Sequence, residues 1–404
     1  MNRTDSYSAR NIIEALRSGV SSREVGCCFS SARPGLTREI HNALTGVAEG
    51  GESGGRIITG KYGEGKTHLL NTVFNMAHER NMAVSAVTLS KESPLSNLGV
   101  LYPKVLQETY LPGKVQPGIS DIFERLSAGS PAAAALLEYC LTKLECNKLY
   151  YVLKSYLGTQ SDEEKYMLLG DIEGDFMANA TVKQIYKRIY GETVVFNTPF
   201  SKTRHVTDYF AFVSRLFLSA GYDGWVILFD EAELIGRMSK KARQSAYANM
   251  AALLRPDAID RAYCLFAFNS SYVPDVIESK HEYAIVEESP LLSQERKKII
   301  SGVLSEIASA AQLVPLGKGE ILEILEKIRD YHGRAYGWSP KPDAADILAF
   351  TEKHGYLLRT RIRTAVELLD QYYQYGSADE ISVGELGQME FDEDGDPPSL
   401  DAFV

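Results

Sequence analysis

Eight consecutive residues, Gly60-Lys-Tyr-Gly-Glu-Gly-Lys-Thr67, match the phosphate-loop pattern G-x-x-x-x-G-K-[ST]. Glycines at these places let the backbone turn tightly, so that successive N–H groups face phosphate oxygens. Lys66 would then reach the β- and γ-phosphates, and the Thr67 hydroxyl would hold Mg²⁺. The alternative is a glycine-rich surface turn. The pattern predicts ATP-binding residues Gly60, Tyr62, Gly63, Glu64, Gly65, Lys66, Thr67 and His68.

A second chemical signal lies far along the chain, where the apolar run Trp225–Phe229 ends in Asp230 and Glu231. A buried strand that ends in adjacent carboxylates is typical of the Walker B motif. Asp230 is the expected Mg²⁺ ligand, and Glu231 is the expected catalytic residue that polarises the attacking water. Glu233 is a weaker candidate from the same acidic stretch.

A third candidate follows the apolar run Tyr263–Phe268, which ends at Asn269. A polar side chain at the tip of a central strand can orient water near the γ-phosphate, so Asn269 is predicted to be catalytic together with Lys66. The alternative is structural, because asparagine also makes ordinary turns.

These residues need a parallel sheet to bring them together. The order of strand 55–59, helix 66–80 and strand 82–89 predicts a right-handed crossover. With 225–229, 263–268 and a proposed fifth strand at 281–286, the sequence predicts an α/β fold with a five-stranded parallel sheet. We expect the phosphate chain to lie between adjacent strands that carry the loop and the carboxylate pair.

The remaining sequence is helical in pattern. A β-to-β crossover needs only about a dozen residues, so the block between strands 2 and 3 predicts a long helical insertion. Helical spacing at 293–311, 318–336, 343–354 and 359–375 predicts a C-terminal helical lid. The predicted segments are 1–90 for leading helices and the first part of the core, 91–205 for the insertion, 206–289 for the second part of the core, 290–380 for the lid and 381–404 for an acidic tail.

Composition narrows the class of protein. The chain has 404 residues, 45% of them hydrophobic, which is enough for a large core. Its net charge of −10 argues against a surface that binds polyanions throughout, but leaves a local basic channel open. The polar first residues, the five cysteines without a C-x-x-C pair and the lack of a long apolar run predict a cytoplasmic, reduced protein without membrane contact.

The chain resembles the AAA+ ATP-binding proteins of bacteriophage exclusion (BREX) defence systems. The resemblance rests on the phosphate loop, on Leu228-Phe-Asp-Glu-Ala-Glu233, and on the leading helix Ala9–Val20, the stretch Ser90–Leu95, Ala335-Tyr-Gly-Trp338 and Arg359-x-x-x-Arg363. It implies a prokaryotic cytoplasmic ATPase in antiviral defence, beside DNA-modifying and other ATPase partners. In AAA+ terms Asn269 is sensor 1, and Arg359 is the sensor 2 residue that would touch the γ-phosphate. The family motif usually opens with Pro-Arg, whereas this chain has Leu358-Arg359.

Three functions stay open from the sequence. The first is Mg²⁺-dependent ATP hydrolysis, with an arginine from a neighbouring subunit, Arg255 or Arg261, completing the site in a homo-oligomer. The second is a nucleotide-dependent switch or scaffold with negligible turnover. The third is a DNA-loading AAA+ protein that contacts DNA through Lys240-Lys241-Ala-Arg243 or Arg296-Lys-Lys298.

Overall fold

The fold is seen in a computed structural model that describes residues 3–19, 22–29, 33–257, 259–355 and 357–378. The acidic tail lies outside these residues. The strands among them are β1 Gly54–Gly60, β2 Ala83–Thr88, β3 Thr109–Tyr110, β4 Trp225–Asp230, β5 Ala262–Asn269 and β6 Ala311–Gln312. The helices among them are α1 Arg3–Ser18, α2 Arg23–Cys28, α3 Pro34–Thr45, α4 Lys66–Glu79, α5 Leu98–Gln107, α6 Ser120–Arg125, α7 Pro131–Thr142, α8 Lys148–Gly158, α9 Asp162–Gly170, α10 Asn179–Tyr190, α11 Lys202–Ser219, α12 Lys240–Leu254, α13 Glu282–Glu287, α14 Gln294–Ala308, α15 Lys318–Tyr336, α16 Ala344–Thr351 and α17 Leu358–Tyr375.

The described strands form one mixed sheet in the order β3-β2-β4-β5-β1-β6. Strands β2, β4, β5, β1 and β6 run parallel, and β3 pairs antiparallel with β2 at one edge. The predicted α/β class and its mostly parallel sheet are confirmed. The prediction of five strands, all parallel, is wrong, because the short β3 adds a sixth strand in the opposite direction.

The proposed strand at 281–286 is also wrong, since this segment is helix α13. Glu282 and Val286 are fully buried while Tyr283 is exposed, which is the spacing of one helical face rather than the alternation of a strand. The buried Glu282 carboxylate pairs with Arg243 of α12 and so holds the helix in place. The fifth parallel strand is instead β6, which pairs with β1 at Ile58 and Thr59.

The expectation that the two motif strands are adjacent is also wrong. Strand β5 lies between β1, which precedes the phosphate loop, and β4, which carries the carboxylate pair. Gly60 pairs with Asn269 across the β1–β5 ladder, whereas Asp230 pairs with Thr88 across β2–β4. The carboxyl ends of all these strands still lie at one edge of the sheet, where ligands bind in open α/β folds.

Alternating side chains of the central strands enter two hydrophobic cores. Ile57, Phe229 and Phe266 lie in the larger core, which includes residues of α5, α11, α12 and α14. Ile58 and Leu228 lie in a second core with residues of α3 and α4. Because both faces of the sheet are covered, β4 and β5 are continuous apolar runs, as expected for buried parallel strands.

The chain divides into two compact units. One contains the elements from α2 to β6, including the sheet and the helices α5–α11 inserted between β2 and β4. The other contains α1 with α15, α16 and α17. In that second unit the Asp370 carboxylate accepts hydrogen bonds from Arg17 and from His332 Nε2, which joins α1, α15 and α17. The predicted segment boundaries, including the start of the lid at residue 290, stay predictions.

Candidate functional site

The phosphate loop connects the carboxyl end of β1 to the start of α4. Gly63 and Gly65 have φ values of 78° and 93°, in the left-handed region that glycine adopts at least cost. The Lys61 N–H donates to the Glu64 carboxylate at 2.7 Å, and the Glu64 N–H donates back to the Lys61 carbonyl at 3.3 Å. The Glu64 side chain therefore closes the turn of the loop.

The Lys66 ammonium folds back over the loop. Its Nζ donates to the Gly60 carbonyl at 3.0 Å and to the Lys61 carbonyl at 3.3 Å. A carbonyl carries no net charge, so these bonds orient Lys66 without neutralising it. The lysine lies where the loop amides and the N-terminal end of α4 both favour an anion.

The predicted metal ligands meet although they are distant in sequence. Thr67 Oγ1 donates to Asp230 Oδ2 at 2.7 Å, and Asp230 Oδ1 accepts the Glu231 N–H at 2.9 Å. A hydroxyl and a carboxylate oxygen are hard ligands, and Mg²⁺ usually completes its octahedron with waters and substrate phosphates. Within the described residues no group of three or more His, Cys, Asp and Glu side chains could hold a metal. Because both are hard oxygen ligands, the Thr67 and Asp230 oxygens fit Mg²⁺ bound together with a nucleotide.

The carboxylates that follow β4 occupy different surroundings. Glu231 is exposed and has a φ of 59°, at the start of a short 3₁₀ turn, Ala232–Arg237. Glu233 is half-buried, and its Oε2 accepts the main-chain N–H of Asn269 at 3.0 Å. Burial raises the pKa of Glu233, an effect that the charge of Lys66 opposes and that of Glu231 increases. Glu233 therefore ties the end of β4 to the end of β5, a role the sequence alone did not indicate.

Asn269 stands beside the first glycine of the loop. Its Oδ1 accepts the Ser271 N–H at 3.1 Å, which is the turn-forming contact that the sequence left open as the alternative. The structure thus brings Asn269 to the loop, and its catalytic role stays a prediction.

His68 and Tyr62 differ in what their side chains do. His68 Nε2 lies 3.2 Å from the Phe29 carbonyl, and burial lowers the pKa of the imidazole. The His68 side chain therefore lies against Phe29 at the end of α2, and its main-chain N–H is the group suited to a phosphate. Tyr62, at the outer side of the loop, is 46% exposed.

Arg33 also belongs to the site, although sequence reasoning missed it. Its Nη2 donates to the Glu64 carbonyl at 2.7 Å, and its Nε lies 3.3 Å from the Val314 carbonyl. The sequence signal is weak: Arg33 precedes Pro34, the first residue of α3, and nothing in that spacing indicates contact with a loop about thirty residues later.

A family model described as BREX system ATP-binding protein BrxC/D matches residues 5–128 and 159–382. The chain belongs to this family. The resemblance inferred from the motifs is confirmed, and ATP is the ligand that the family name assigns. Among curated proteins, none matches the chain.

Helix α17 of this BREX-family protein carries the predicted sensor 2 residue, Arg359. Arg359 lies near the first turn of α17, and its Nε is 2.6 Å from the place where a side chain on Gly19 would begin. Arg361 Nε donates to the Gly355 carbonyl, and Arg363 Nε to the Arg17 carbonyl. The role of Arg359 at the phosphates stays a prediction.

The two candidates for an arginine acting on a neighbouring subunit lie at the other end of the sheet, before β5. Arg261 Nη1 donates to the Ala48 carbonyl at 2.8 Å, and Arg255 pairs with Glu306 of α14. Arg255 is 57% exposed at its side chain. Of the two, Arg255 is the one with a side chain turned towards solvent.

The prediction that Arg243 contributes to DNA contact is wrong. Arg243 is buried and its guanidinium pairs with Glu282, so it holds α12 to α13 and is not available to DNA. Lys240, Lys241, Arg296 and Lys298 are exposed or partly exposed, and their DNA role stays a prediction. No helix among the described residues has both the length and the apolar character needed to cross a bilayer.

Proposed function

We propose that this BREX-family protein is a cytoplasmic Mg²⁺-dependent ATPase, which cleaves ATP to ADP and phosphate and works beside DNA-directed defence proteins. The observation that carries the proposal is the 2.7 Å contact between Thr67 Oγ1 and Asp230 Oδ2. It joins the phosphate loop to the carboxylate pair at the sheet edge where ligands bind in α/β folds.

Nucleotide binding would begin with an exchange of partners at Lys66. The ammonium now donates to the carbonyls of Gly60 and Lys61. Phosphate oxygens are charged acceptors and form stronger bonds than carbonyls, so Lys66 would turn towards the β- and γ-phosphates. The loop N–H groups held by the left-handed Gly63 and Gly65 would cradle the same phosphates.

Thr67 and Asp230 would hold the metal through their oxygens, Asp230 directly or through water. When bound, Mg²⁺ supplies positive charge that offsets the charge on the phosphate oxygens. The Asp230 carboxylate is also held in position, because its Oδ1 accepts the Glu231 N–H at 2.9 Å.

Glu231 would orient and polarise the attacking water. Its neighbour Asp230 is bonded to Thr67, whereas the Glu231 side chain is exposed and so accessible to a water. Asn269 would assist from the adjacent strand tip. In a homo-oligomer, Arg255 or Arg261 from a neighbour and Arg359 from the lid would add positive charge at the γ-phosphate.

Phosphate release by the purified protein tests this function. With Mg²⁺ and ATP, the wild type is expected to turn over, and Glu231→Gln is expected to lower kcat by about 10²–10⁴-fold because the water loses its base. Binding of ATP to Glu231→Gln should persist, since the loop is intact.

Glu278→Gln is the matched control, an exposed acid that the proposal leaves outside the site. It should release phosphate at the wild-type rate. Equal, very slow release by wild type and Glu231→Gln, with and without DNA, would contradict hydrolysis and favour the nucleotide-dependent switch.

A further inference from the structure

The tip of β5, at Asn269 and Ser270, lies between the phosphate loop and the carboxylate pair. The Ser270 N–H donates to the Gly60 carbonyl at 3.2 Å, at the start of the loop. The Asn269 N–H donates to Glu233 Oε2 at 3.0 Å, in the segment that follows β4. Because β5 separates β1 from β4, these bonds connect the loop to the segment after β4 through the strand between them.

The Gly60 carbonyl is shared by the tip of β5 and the loop lysine. Its oxygen accepts the Lys66 ammonium at 3.0 Å as well as the Ser270 N–H. Phosphate oxygens are stronger acceptors than carbonyls, so a nucleotide would draw Lys66 away from this oxygen. The tip of β5 thus contacts the same atom that Lys66 must leave when a nucleotide binds.

The backbone of Glu231 has an uncommon conformation. Its φ of 59° and ψ of 35° lie in the left-handed region, which a residue with a side chain adopts where its surroundings impose it. Asp230 Oδ1 accepts the Glu231 N–H at 2.9 Å, and the Glu231 carbonyl accepts the Leu234 N–H at 3.1 Å. The position of the Glu231 carboxylate therefore depends on the turn that follows it.

Glu233 anchors that turn to the sheet. It belongs to the 3₁₀ turn Ala232–Arg237, which begins directly after Glu231. Its carboxylate accepts the main-chain N–H of Asn269, the last residue of a strand that is buried along the rest of its length. A turn that is bonded to a buried strand moves less than one that is held only by its own residues, so Glu231 is restricted as well.

We propose that Glu233 is a positioning residue for ATP hydrolysis, which holds Glu231 at the attacking water by anchoring the turn after β4 to the tip of β5. This inference rests on the proposed ATPase function and adds a residue to it. Glu233 acts as a hydrogen-bond acceptor for the main chain and takes no proton from the water. Loss of the anchor would displace Glu231, and a small displacement of a catalytic group lowers the rate while the phosphate contacts remain.

Steady-state phosphate release and equilibrium binding of ATP by the full chain test the proposal. Glu233→Ala should lower kcat by about 10–100-fold, because Glu231 is displaced from the water. Its affinity for ATP should stay close to that of the wild type, since the phosphate loop is unchanged. Glu233→Gln should keep kcat within about fivefold of the wild type, because an amide oxygen still accepts the Asn269 N–H, although without a charge.

Glu278→Ala is the matched control, an exposed acid outside the site, and should equal the wild type in kcat and in ATP affinity. Thermal unfolding of each variant separates positioning from folding. A joint loss of kcat, ATP affinity and melting temperature in Glu233→Ala would show a general structural role and overturn the proposal. A fall in kcat for Glu233→Gln as large as that for Glu231→Gln would show proton transfer at Glu233 and also overturn it.

Two further outcomes count against the proposal, and the wild type distinguishes them. An unchanged kcat in Glu233→Ala, measured beside an active wild type, would reject the positioning role alone. A wild type that binds ATP without turnover would reject the proposed ATPase function, and the role of Glu233 with it.

Discussion

Two parts of this protein each contain a lysine and an aspartate, but the two side chains bond to each other in only one of them. In the helical insertion, Lys148 and Asp171 are fully buried and bond at 2.7 Å. Lys148 also donates to the Met177 carbonyl, and Asp171 accepts the Tyr209 hydroxyl. At the phosphate loop, Lys66 bonds only to neutral carbonyls among its identified hydrogen bonds, and Asp230 bonds to the exposed Thr67.

The buried charges of Lys148 and Asp171 stabilise the fold, whereas the charges of Lys66 and Asp230 are suited to binding a ligand. A buried charge costs several kcal/mol unless a partner and hydrogen bonds offset its desolvation, so Lys148 and Asp171 must satisfy each other. A binding site keeps its charges close to solvent and away from a permanent counter-ion. The Lys66 and Asp230 side chains are half-buried, which suits groups that exchange partners when a nucleotide binds.

The largest effect is expected from removing the charge of Lys148 from its buried pair with Asp171. Lys148→Met should lower the free energy of unfolding by about 3–5 kcal/mol, because Asp171 is left as an uncompensated buried charge. Lys66→Met, a matched change at the loop, should alter stability by less than about 1 kcal/mol, since Lys66 is only half-buried and donates to main-chain carbonyls. Chemical denaturation of both variants measures the contrast.

The double variant Lys148→Met with Asp171→Met serves as the control for that experiment. It should regain most of the lost stability, apart from about 1 kcal/mol for the Tyr209 hydroxyl that loses its acceptor. If the single and double variants are equally unstable, the loss comes from packing and the interpretation of Lys148 as a charge partner fails.

A smaller loss of stability is expected from substitutions in the phosphate loop, because the loop depends on backbone geometry rather than on a buried ion pair. Gly65→Ala should destabilise the protein by about 1–2 kcal/mol, the cost of a left-handed conformation for an L-residue. Gly54→Ala is the control: a Cβ there meets no atom within 4 Å, and its φ lies outside the left-handed region. Similar melting temperatures for the two variants would show that the loop relaxes without strain.

Much of the fold could be predicted because local pattern and burial agree. Strands β1, β2, β4 and β5 lie where the apolar runs predicted them, and α15 has the predicted bounds of 318–336. The prediction of a strand at 281–286 was wrong because its apolar residues suit a strand. The burial of Glu282 is explained by its ion pair with Arg243, which the local sequence does not show. Strands β3 and β6 have two residues each, too few for any periodicity.

The site was partly predictable for a similar reason. The phosphate loop and the carboxylate pair are contiguous motifs, so their chemistry can be recognised locally, and the Thr67–Asp230 contact follows from parallel strands that end at one edge. Arg33 and Glu233 act through main-chain carbonyls and amides of distant segments, which leave no pattern in the sequence. The same holds for Lys148 and Asp171, whose pairing depends on how α8 packs in the insertion.

Calorimetric titration of ATP into the wild type and Lys66→Ala, with Mg²⁺ and with a chelator, tests the central claim most directly. The account predicts Mg²⁺-dependent binding to the wild type and at least a tenfold loss in Lys66→Ala, because the phosphates lose a charge-assisted contact. Equal affinity of the two proteins for ATP, unaffected by the chelator, would show that the phosphate chain does not lie between Lys66 and Asp230.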